Sequence, residues 1–500
     1  MRNRYQRANN IFYLLGYVLQ TLGVVFLIPL VPIFLYWGTR GDGWRTTLAF
    51  VIPSAVSFII GFLLRRRFKP SELGITGSVI VCGLGWVFAS ALGAIPFVIG
   101  IRAGYLNGYF EAMSGFTTTG ITVFSGLDSL PRSILLWRAL TQWVGGIGIL
   151  SFFLAVTFRG SGAHHIFGAE SHKISSTRPA PGLFHTVTIL WAIYLGFTLL
   201  SVVLLSLEGM SVFDSICHSA TALSTGGFSP YDASIGHYAA IGHPNFKLIE
   251  YTLVFVMLLG GMNFLIHYRV LTRDVRALWD NVEVRWWWQL IAGFTALVMI
   301  DHFSRHGLPT DAGQLEAAFR HSVFQVTSIL TTTGFGTVDI GSDFFPTLAR
   351  QLFLVMMVIG GCVGSTGGGI KVLRVVILSR LMVREVYKLR VPRRAASALV
   401  IDGQIVPDDE SHRAAALFFM WIVLLVVGGG ITALLSNQGA LESLSGMFSA
   451  LGNIGPCYIS VQDMIAINPV VKIVYIFGML AGRLEILPVL LLFSGKAWRG

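Results

Sequence analysis

Three stretches of this chain run small hydroxyl residues into glycine: Thr117–Thr122 (TTTGIT), Ser224–Ser229 (STGGFS) and Thr331–Asp339 (TTTGFGTVD). A fourth, Gly452–Tyr458 (GNIGPCY), keeps the glycine and loses the hydroxyls. Gly120, Gly226 and Gly334 stand 106 and 108 residues apart, and Gly455 follows after a further 121. Glycine reaches the positive-φ conformations that turn successive carbonyls to one side of a chain. Four such segments, one per quasi-equivalent unit, would meet on a pseudo-fourfold axis. Rings of carbonyl oxygens there could replace the hydration shell of a desolvated monovalent cation. The candidate ligands are Thr118, Thr119 and Gly120; Thr225 and Gly226; Thr332, Thr333 and Gly334; and Asn453, Ile454 and Gly455. Because the fourth copy lacks threonine, main-chain carbonyls rather than hydroxyls are expected to be the essential ligands.

The elements that must hold these segments follow from what precedes and follows each copy. Gly104–Phe116, Phe213–Leu223, Leu315–Leu330 and Leu441–Leu451 lie just upstream. At roughly 11–16 residues they are too short to cross a bilayer, which takes about 20, and long enough for half-helices dipping in from one side. Their negative dipole ends would point at the axis and attract cations, while Asp214 and Glu442 near two of the starts suit the positive ends. Longer apolar stretches flank them: Ile75–Ile99, Leu183–Leu207, Leu248–His267, Leu352–Val363, Ala414–Leu435 and Val470–Phe493. Ile11–Trp37 and Thr47–Leu64 precede the first unit. The expected fold is an all-α integral membrane protein with four helix–pore-helix–helix repeats around a pseudo-fourfold pore, plus two N-terminal transmembrane helices. The divisions are 1–70 for the leading pair, then 71–160, 161–282, 283–395 (with an intramembrane gating loop) and 396–500 for the repeats.

Composition agrees. Of 500 residues 54% are hydrophobic and only 12% charged, where a soluble domain carries about 25% charged residues. Mean hydropathy is +0.70. The net charge of +11 sits in clusters beside the apolar stretches, which fits the positive-inside rule and excludes nucleic acid as a partner; the partner surface is membrane lipid. Arg65–Lys69, Arg159, Arg269, Arg374–Arg394, Lys496 and Arg499 all fall on one side if the chain crosses ten times with both termini in the cytoplasm. The first apolar stretch is too long for a cleavable signal. Cys82, Cys217, Cys362 and Cys457 are scattered without metal-ligand spacing. His164, His165 and His172 fall in a cytoplasmic loop with nothing to complete a metal site.

Two further features stand out. Gly360–Gly369 holds six glycines in ten residues, followed by Lys371, inside an expected span. It lacks the spacing of a phosphate-binding loop and does not follow a strand. It reads either as close helix packing through small residues or as a broken helix whose middle forms a loop beneath the carbonyl rings. Arg483 lies near the middle of Val470–Phe493, where a charge costs at least ~2.5–3.5 kcal/mol. It is either paired with a carboxylate on another helix or faces a watered path. Glu485, two residues on, points elsewhere on a helix.

The motifs Phe110–Thr122, Trp137–Gly148 (WRALTQWVGGIG), Ala222–Pro230 (ALSTGGFSP), Met262–Tyr268 (MNFLIHY), Gly360–Arg374 (GGCVGSTGGGIKVLR), Asn453–Pro456 (NIGP) and Gly482–Glu485 (GRLE) together resemble the TrkH/TrkG branch of the Trk/Ktr/HKT superfamily. The resemblance covers essentially the whole chain. It implies a channel-like potassium uptake subunit, not an enzyme, in the cell inner membrane. K+ would be the transported ion and Gly120, Gly226, Gly334 and Gly455 the filter glycines. It implies a gating loop containing Gly364, Gly367, Gly368, Gly369 and Lys371, with Arg483 facing the pore beside it. It also implies a homodimer with one pore per subunit, controlled by a cytosolic TrkA-type nucleotide-binding regulator. The chain departs from the family at GPCY, where GPG is usual, and at TTTGFGT, where TTAGFT-like patterns are usual. Two other classes fit less well. A membrane-embedded enzyme would need clustered His, Asp or Glu at membrane depth, and no HExxH or paired-aspartate motif is present. A secondary carrier would place broken helices at the midplane of inverted repeats, whereas these four units are alike in orientation.

Overall fold

This chain buries what a soluble protein exposes and exposes what a soluble protein buries. Glu111, Arg138, Gln142, Glu250, Arg320 and Gln325 are almost wholly enclosed, while Leu207, Phe419 and Leu434 stand 79%, 70% and 81% exposed. That polarity is favourable where hydrocarbon surrounds the protein and polar groups must find partners inside it. A computed structural model describes residues 2–69, 75–159, 183–390, 398–495 and 498. His164, His165, His172, Arg393, Arg394, Lys496 and Arg499 lie outside the described residues.

The leading pair is α1 (Arg2–Val25) with its short continuation α2 (Leu30–Leu35), and α3 (Trp44–Arg67). Glycines let α1 and α3 touch: a Cβ on Gly61 would sit 2.7 Å from the Gly16 carbonyl oxygen, and Ser54 donates to the Gly23 carbonyl at 2.8 Å. Arg65, Arg66 and Arg67 close α3.

The four repeats follow. The first is α4 (Ile75–Gly93), α5 (Ile95–Ile101), α6 (Tyr105–Phe116) and α7 (Arg132–Arg159). The second is α8 (Leu183–Leu207), α9 (Val212–Leu223), α10 (Gly236–Ala240), α11 (Phe246–Gly261) and α12 (Phe264–Leu271). The third is α13 (Val282–His306), α14 (Ala312–Leu330), α15 (Thr347–Val358) and α16 (Val372–Lys388). After a hairpin of β1 (Val400–Ile401) and β2 (Gln404–Ile405), the fourth is α17 (Asp408–Leu435), α18 (Ala440–Gly452), α19 (Val461–Ala466), α20 (Pro469–Arg483) and α21 (Ile486–Leu492). The fold is thus an all-α integral membrane protein, as expected. The half-helices α6, α9, α14 and α18 begin within three residues of the expected starts. Ser211 caps α9, its side chain accepting from Asp214 N, and Asp311 caps α14 by accepting from Gln314 N.

The long spans are less regular than the sequence suggests. Among the described residues six helices are long and apolar enough to cross a membrane, or seven if the bent pair α11–α12 counts as one span. Leu248–His267 is not one straight helix: it bends by 105° after Gly261. Asn263 caps the new helix by accepting from Leu265 N at 2.9 Å, and the freed Gly261 carbonyl accepts from Cys362 N at 2.9 Å. Leu352–Val363 stops as helix at Val358, and Val470–Phe493 breaks at Leu484 and Glu485, the latter at φ 60°.

Buried ion pairs brace the half-helices. Glu111 on α6 accepts from Arg138 of α7 at 2.8 Å. Glu250 on α11 pairs with Arg320 of α14, which also reaches Glu316 at 2.9 Å. Arg320→Ala leaves Glu250 without its cation and should cost ~3–5 kcal/mol. The check is the unfolding temperature of the detergent-solubilised protein, in which an Arg320→Met/Glu250→Met double variant should recover most of the loss.

Candidate functional site

Each half-helix delivers its chain to the same three-residue backbone shape. Thr118 (φ 52°) and Gly120 (φ 85°), Thr225 (54°) and Gly227 (77°), Thr332 (59°) and Gly334 (89°), and Asn453 (54°) and Gly455 (106°) are all left-handed, with one residue between. That is costly for β-branched threonine, so the surrounding structure must hold it. The hold is a repeated bond from the intervening amide back into the half-helix. Thr119 N donates to Ser114 O at 2.8 Å, Gly226 N to Thr221 O at 2.8 Å, Thr333 N to Ser328 O at 2.8 Å and Ile454 N to Ser449 O at 3.0 Å.

These equivalences move one assignment. In the second strand Gly227, not Gly226, occupies the place of Gly120, Gly334 and Gly455, and Gly226 stands where the others have Thr119, Thr333 and Ile454. The signal was in the sequence. Each left-handed glycine lies four residues beyond an apolar residue of its half-helix: Phe116, Leu223, Leu330 and Leu451.

The four strands close on one another in a cycle. A Cβ on Gly120 would strike the Gly226 carbonyl oxygen, one on Gly227 that of Thr333, and one on Gly334 that of Ile454; one on Gly455 would lie 3.1 Å from that of Thr119. Each strand's intervening carbonyl therefore abuts the next strand's glycine, and only glycine allows the approach. Thr118, Thr119, Thr225, Thr332, Thr333, Asn453 and Ile454 are fully buried. Among the described residues no donor is bonded to the carbonyl oxygens of Thr118, Thr119, Thr332, Thr333, Asn453 or Ile454. Buried carbonyls normally have partners, so these six stand out as open acceptors. Two threonine pairs are braced hydroxyl to hydroxyl, Thr117 to Thr119 at 2.8 Å and Thr331 to Thr333 at 2.7 Å, whereas the Thr118 hydroxyl has no partner among the described residues. In the fourth strand the Asn453 amide donates to the Thr119 hydroxyl at 2.8 Å and to Met479 O at 2.9 Å. Cys457 lies just past Gly455, its thiol 3.6 Å from Ile459 O.

The glycine-rich stretch between α15 and α16 is a loop tied at its neck. Gly360 N donates to Ile370 O at 2.8 Å, and Ile370 N to Val358 O at 3.0 Å. Its tip lies against the strands. Gly368 N donates to the Thr332 hydroxyl at 2.7 Å, and the Thr366 hydroxyl donates to Leu223 O at 2.9 Å and Gly260 O at 3.0 Å. A Cβ on Gly368 would lie 2.7 Å from both Asn453 Cβ and Gly452 O, and one on Gly367 3.2 Å from Thr331 O. Gly364 faces Asn263 and Gly369 packs at the neck against Gly360, so these two shape the loop. Lys371 donates to Gly367 O at 2.5 Å. Arg483 donates to Thr366 O at 2.6 Å and to Gly145 O at 3.1 Å. Among the described residues it has no carboxylate partner, since Glu485 is held by Arg374 through bonds of 2.9 and 2.7 Å. Glu283 ties both ends of the loop, accepting from Val363 N at 2.8 Å and Leu373 N at 3.3 Å. Thr366 and Glu283 carried no signal in the sequence, because their partners are main-chain atoms distant in the chain.

Residues 49–499 match the family model described as "TrkH: Cation transport protein". An uncharacterised cation transporter of Methanocaldococcus jannaschii is 31% identical over 489 residues, covering 97% of this chain and 95% of that protein. The Trk system potassium uptake protein TrkH of Vibrio parahaemolyticus is 31% identical over 501 residues, with 98% and 99% covered. The crystal structure of the potassium transporter TrkH from Vibrio parahaemolyticus superposes with a TM-score of 0.86 at 29% identity, over 98% of this chain and 99% of that one.

Proposed function

The chain belongs to the TrkH family of cation transport proteins, and we propose that it is the potassium-conducting transmembrane subunit of a Trk-type uptake system in the cell inner membrane. The observation that carries this reading is the closed cycle of four strands, whose buried carbonyls lack donors and can serve as the ion's ligands. K+ is the cargo, taken up down the membrane potential at about 2.3 kcal/mol per 100 mV. The carbonyls of Thr118, Thr119 and Gly120, with their counterparts in strands two to four, select it. The loop from Gly364 to Gly369, with Lys371 and Arg483, closes the path beneath them. Both termini lie in the cytoplasm, two chains assemble as a homodimer with a pore each, and a cytosolic TrkA-type nucleotide-binding regulator moves the loop. That regulator is a separate protein, because no dinucleotide-binding fingerprint occurs on this chain.

The test is flux through the purified protein in lipid vesicles, K+ against Na+, alongside Gly120→Ser. Serine at φ 85° is strained, and its Cβ displaces the Gly226 carbonyl; its hydroxyl adds a ligand suited to a smaller ion. The K+/Na+ permeability ratio should fall about tenfold, equivalent to ~1.4 kcal/mol. An unchanged ratio in folded protein counts against these strands as the filter.

A further inference from the structure

The cycle of strands is uneven at one point. Three of its intervening residues carry side chains (Thr119, Thr333 and Ile454), and the fourth is Gly226. The missing side chain is supplied from elsewhere. Gln142 of α7, fully buried, fills the space so closely that a Cβ on Gly226 would run into its carboxamide. Gln142 Nε2 donates to the Gly226 carbonyl oxygen at 2.6 Å, and Gln142 Oε1 accepts from Phe228 N at 3.0 Å. One amide thus grips the strand on both sides of the left-handed Gly227. Among the described residues, Gly226 O is the intervening carbonyl of the cycle that has a protein donor.

We propose that Gln142 is a specificity-determining positioning residue, acting through the Gly226 carbonyl it holds. The bond fixes where that oxygen points and draws on its electron density, so the ring presents one braced, weaker ligand beside three free ones. Without the brace the oxygen can swing inward, and the ring can close around a smaller ion. The effect is on selectivity rather than on assembly. This inference rests on the strands being the filter, as proposed above.

The decisive variant is Gln142→Met, which fills the same space and makes neither bond. Its K+/Na+ permeability ratio in reconstituted vesicles should fall at least fivefold at equal amounts of folded protein. A ratio within twofold of the parent overturns the proposal, since shape alone would then suffice. If Gln142→Met does not fold, the Gly226→Thr/Gln142→Ala double variant carries the same forecast. It gives the second strand the local side chain of the first and third without restoring the amide bond. If neither folds, Gln142 is a stability determinant only and the proposal fails. Gly120→Ser, measured in parallel, separates the two levels. A changed ratio there with unchanged Gln142 variants refutes this inference alone, and no change in either refutes the filter reading.

Discussion

A chain lacking Gly361–Gly368, with Gly360 joined to Gly369, should conduct K+ at least tenfold faster than the parent, and without the proposed regulator. Gly360 and Gly369 lie against each other, a Cβ on Gly369 falling 2.9 Å from Gly360 Cα, but Ile359 and Ile370 pair in parallel, so the joined chain must turn at the junction and the two neck bonds must rearrange. What disappears is the proposed plug: the Gly368 bond to the Thr332 hydroxyl, the Thr366 bonds to Leu223 O and Gly260 O, and one of the two acceptors of Arg483. The carbonyls released at Leu223, Gly260 and Gly261 would face a watered path. Glu283 keeps Leu373 N and loses Val363 N, so a modest loss of thermal stability should accompany the gain. The tenfold floor corresponds to a barrier of only ~1.4 kcal/mol, small for a segment lying across the path. Flux per folded protein, with and without the regulator, is the measurement. A folded deletion chain with the parent's flux would remove the loop from the conduction route.

What the sequence made legible, and what it hid, follows from how far apart the interacting residues are. The half-helices were readable because their length is a local property: Phe213–Leu223 and Leu441–Leu451 are too short to span, and nothing distant alters that. Glycine spacing located the strands but slipped by one in the second, where STGG offers two candidates and Gln142, 84 residues away, decides between them. The breaks at Met262 and Leu484 were hidden for the same reason. Leu248–His267 is apolar on average despite Glu250 and Asn263, and it bends because Gly260 and Gly261 give their carbonyls to a loop some hundred residues later. Pairings such as Glu111 with Arg138 lie inside recognised motifs, yet spacing alone does not say that their side chains meet.

Arg483→Ala should raise K+ flux on the order of tenfold to a hundredfold, from a change in one side chain. The arginine is 3% exposed, bridges the loop at Thr366 O to α7 at Gly145 O, and has no bonded partner for its Nε among the described residues. A structural ion pair would forecast the opposite, since truncation would strand a buried carboxylate at ~3–5 kcal/mol. The geometry removes that objection: the nearby carboxylate, Glu485, belongs to Arg374, so Arg483→Ala strands only carbonyls. If Arg483 faces the path as proposed, a fixed positive charge about 4–8 Å from the passing cation would oppose entry by ~2–4 kcal/mol at an effective dielectric constant near 20, ample for the expected gain. Charge and tether remain to be separated, and Arg483→Lys does so. Lysine keeps the charge but lacks the guanidinium's two separate terminal nitrogens, with which Arg483 spans Thr366 O and Gly145 O. If repulsion dominates, Arg483→Lys stays within a few-fold of the parent while Arg483→Ala runs fast. If the tether to Thr366 dominates, both run fast. We expect the first pattern, because Lys371 and the Gly368–Thr332 bond still hold the loop when Arg483 lets go. Slow flux in a folded Arg483→Ala protein would take this residue out of the path altogether.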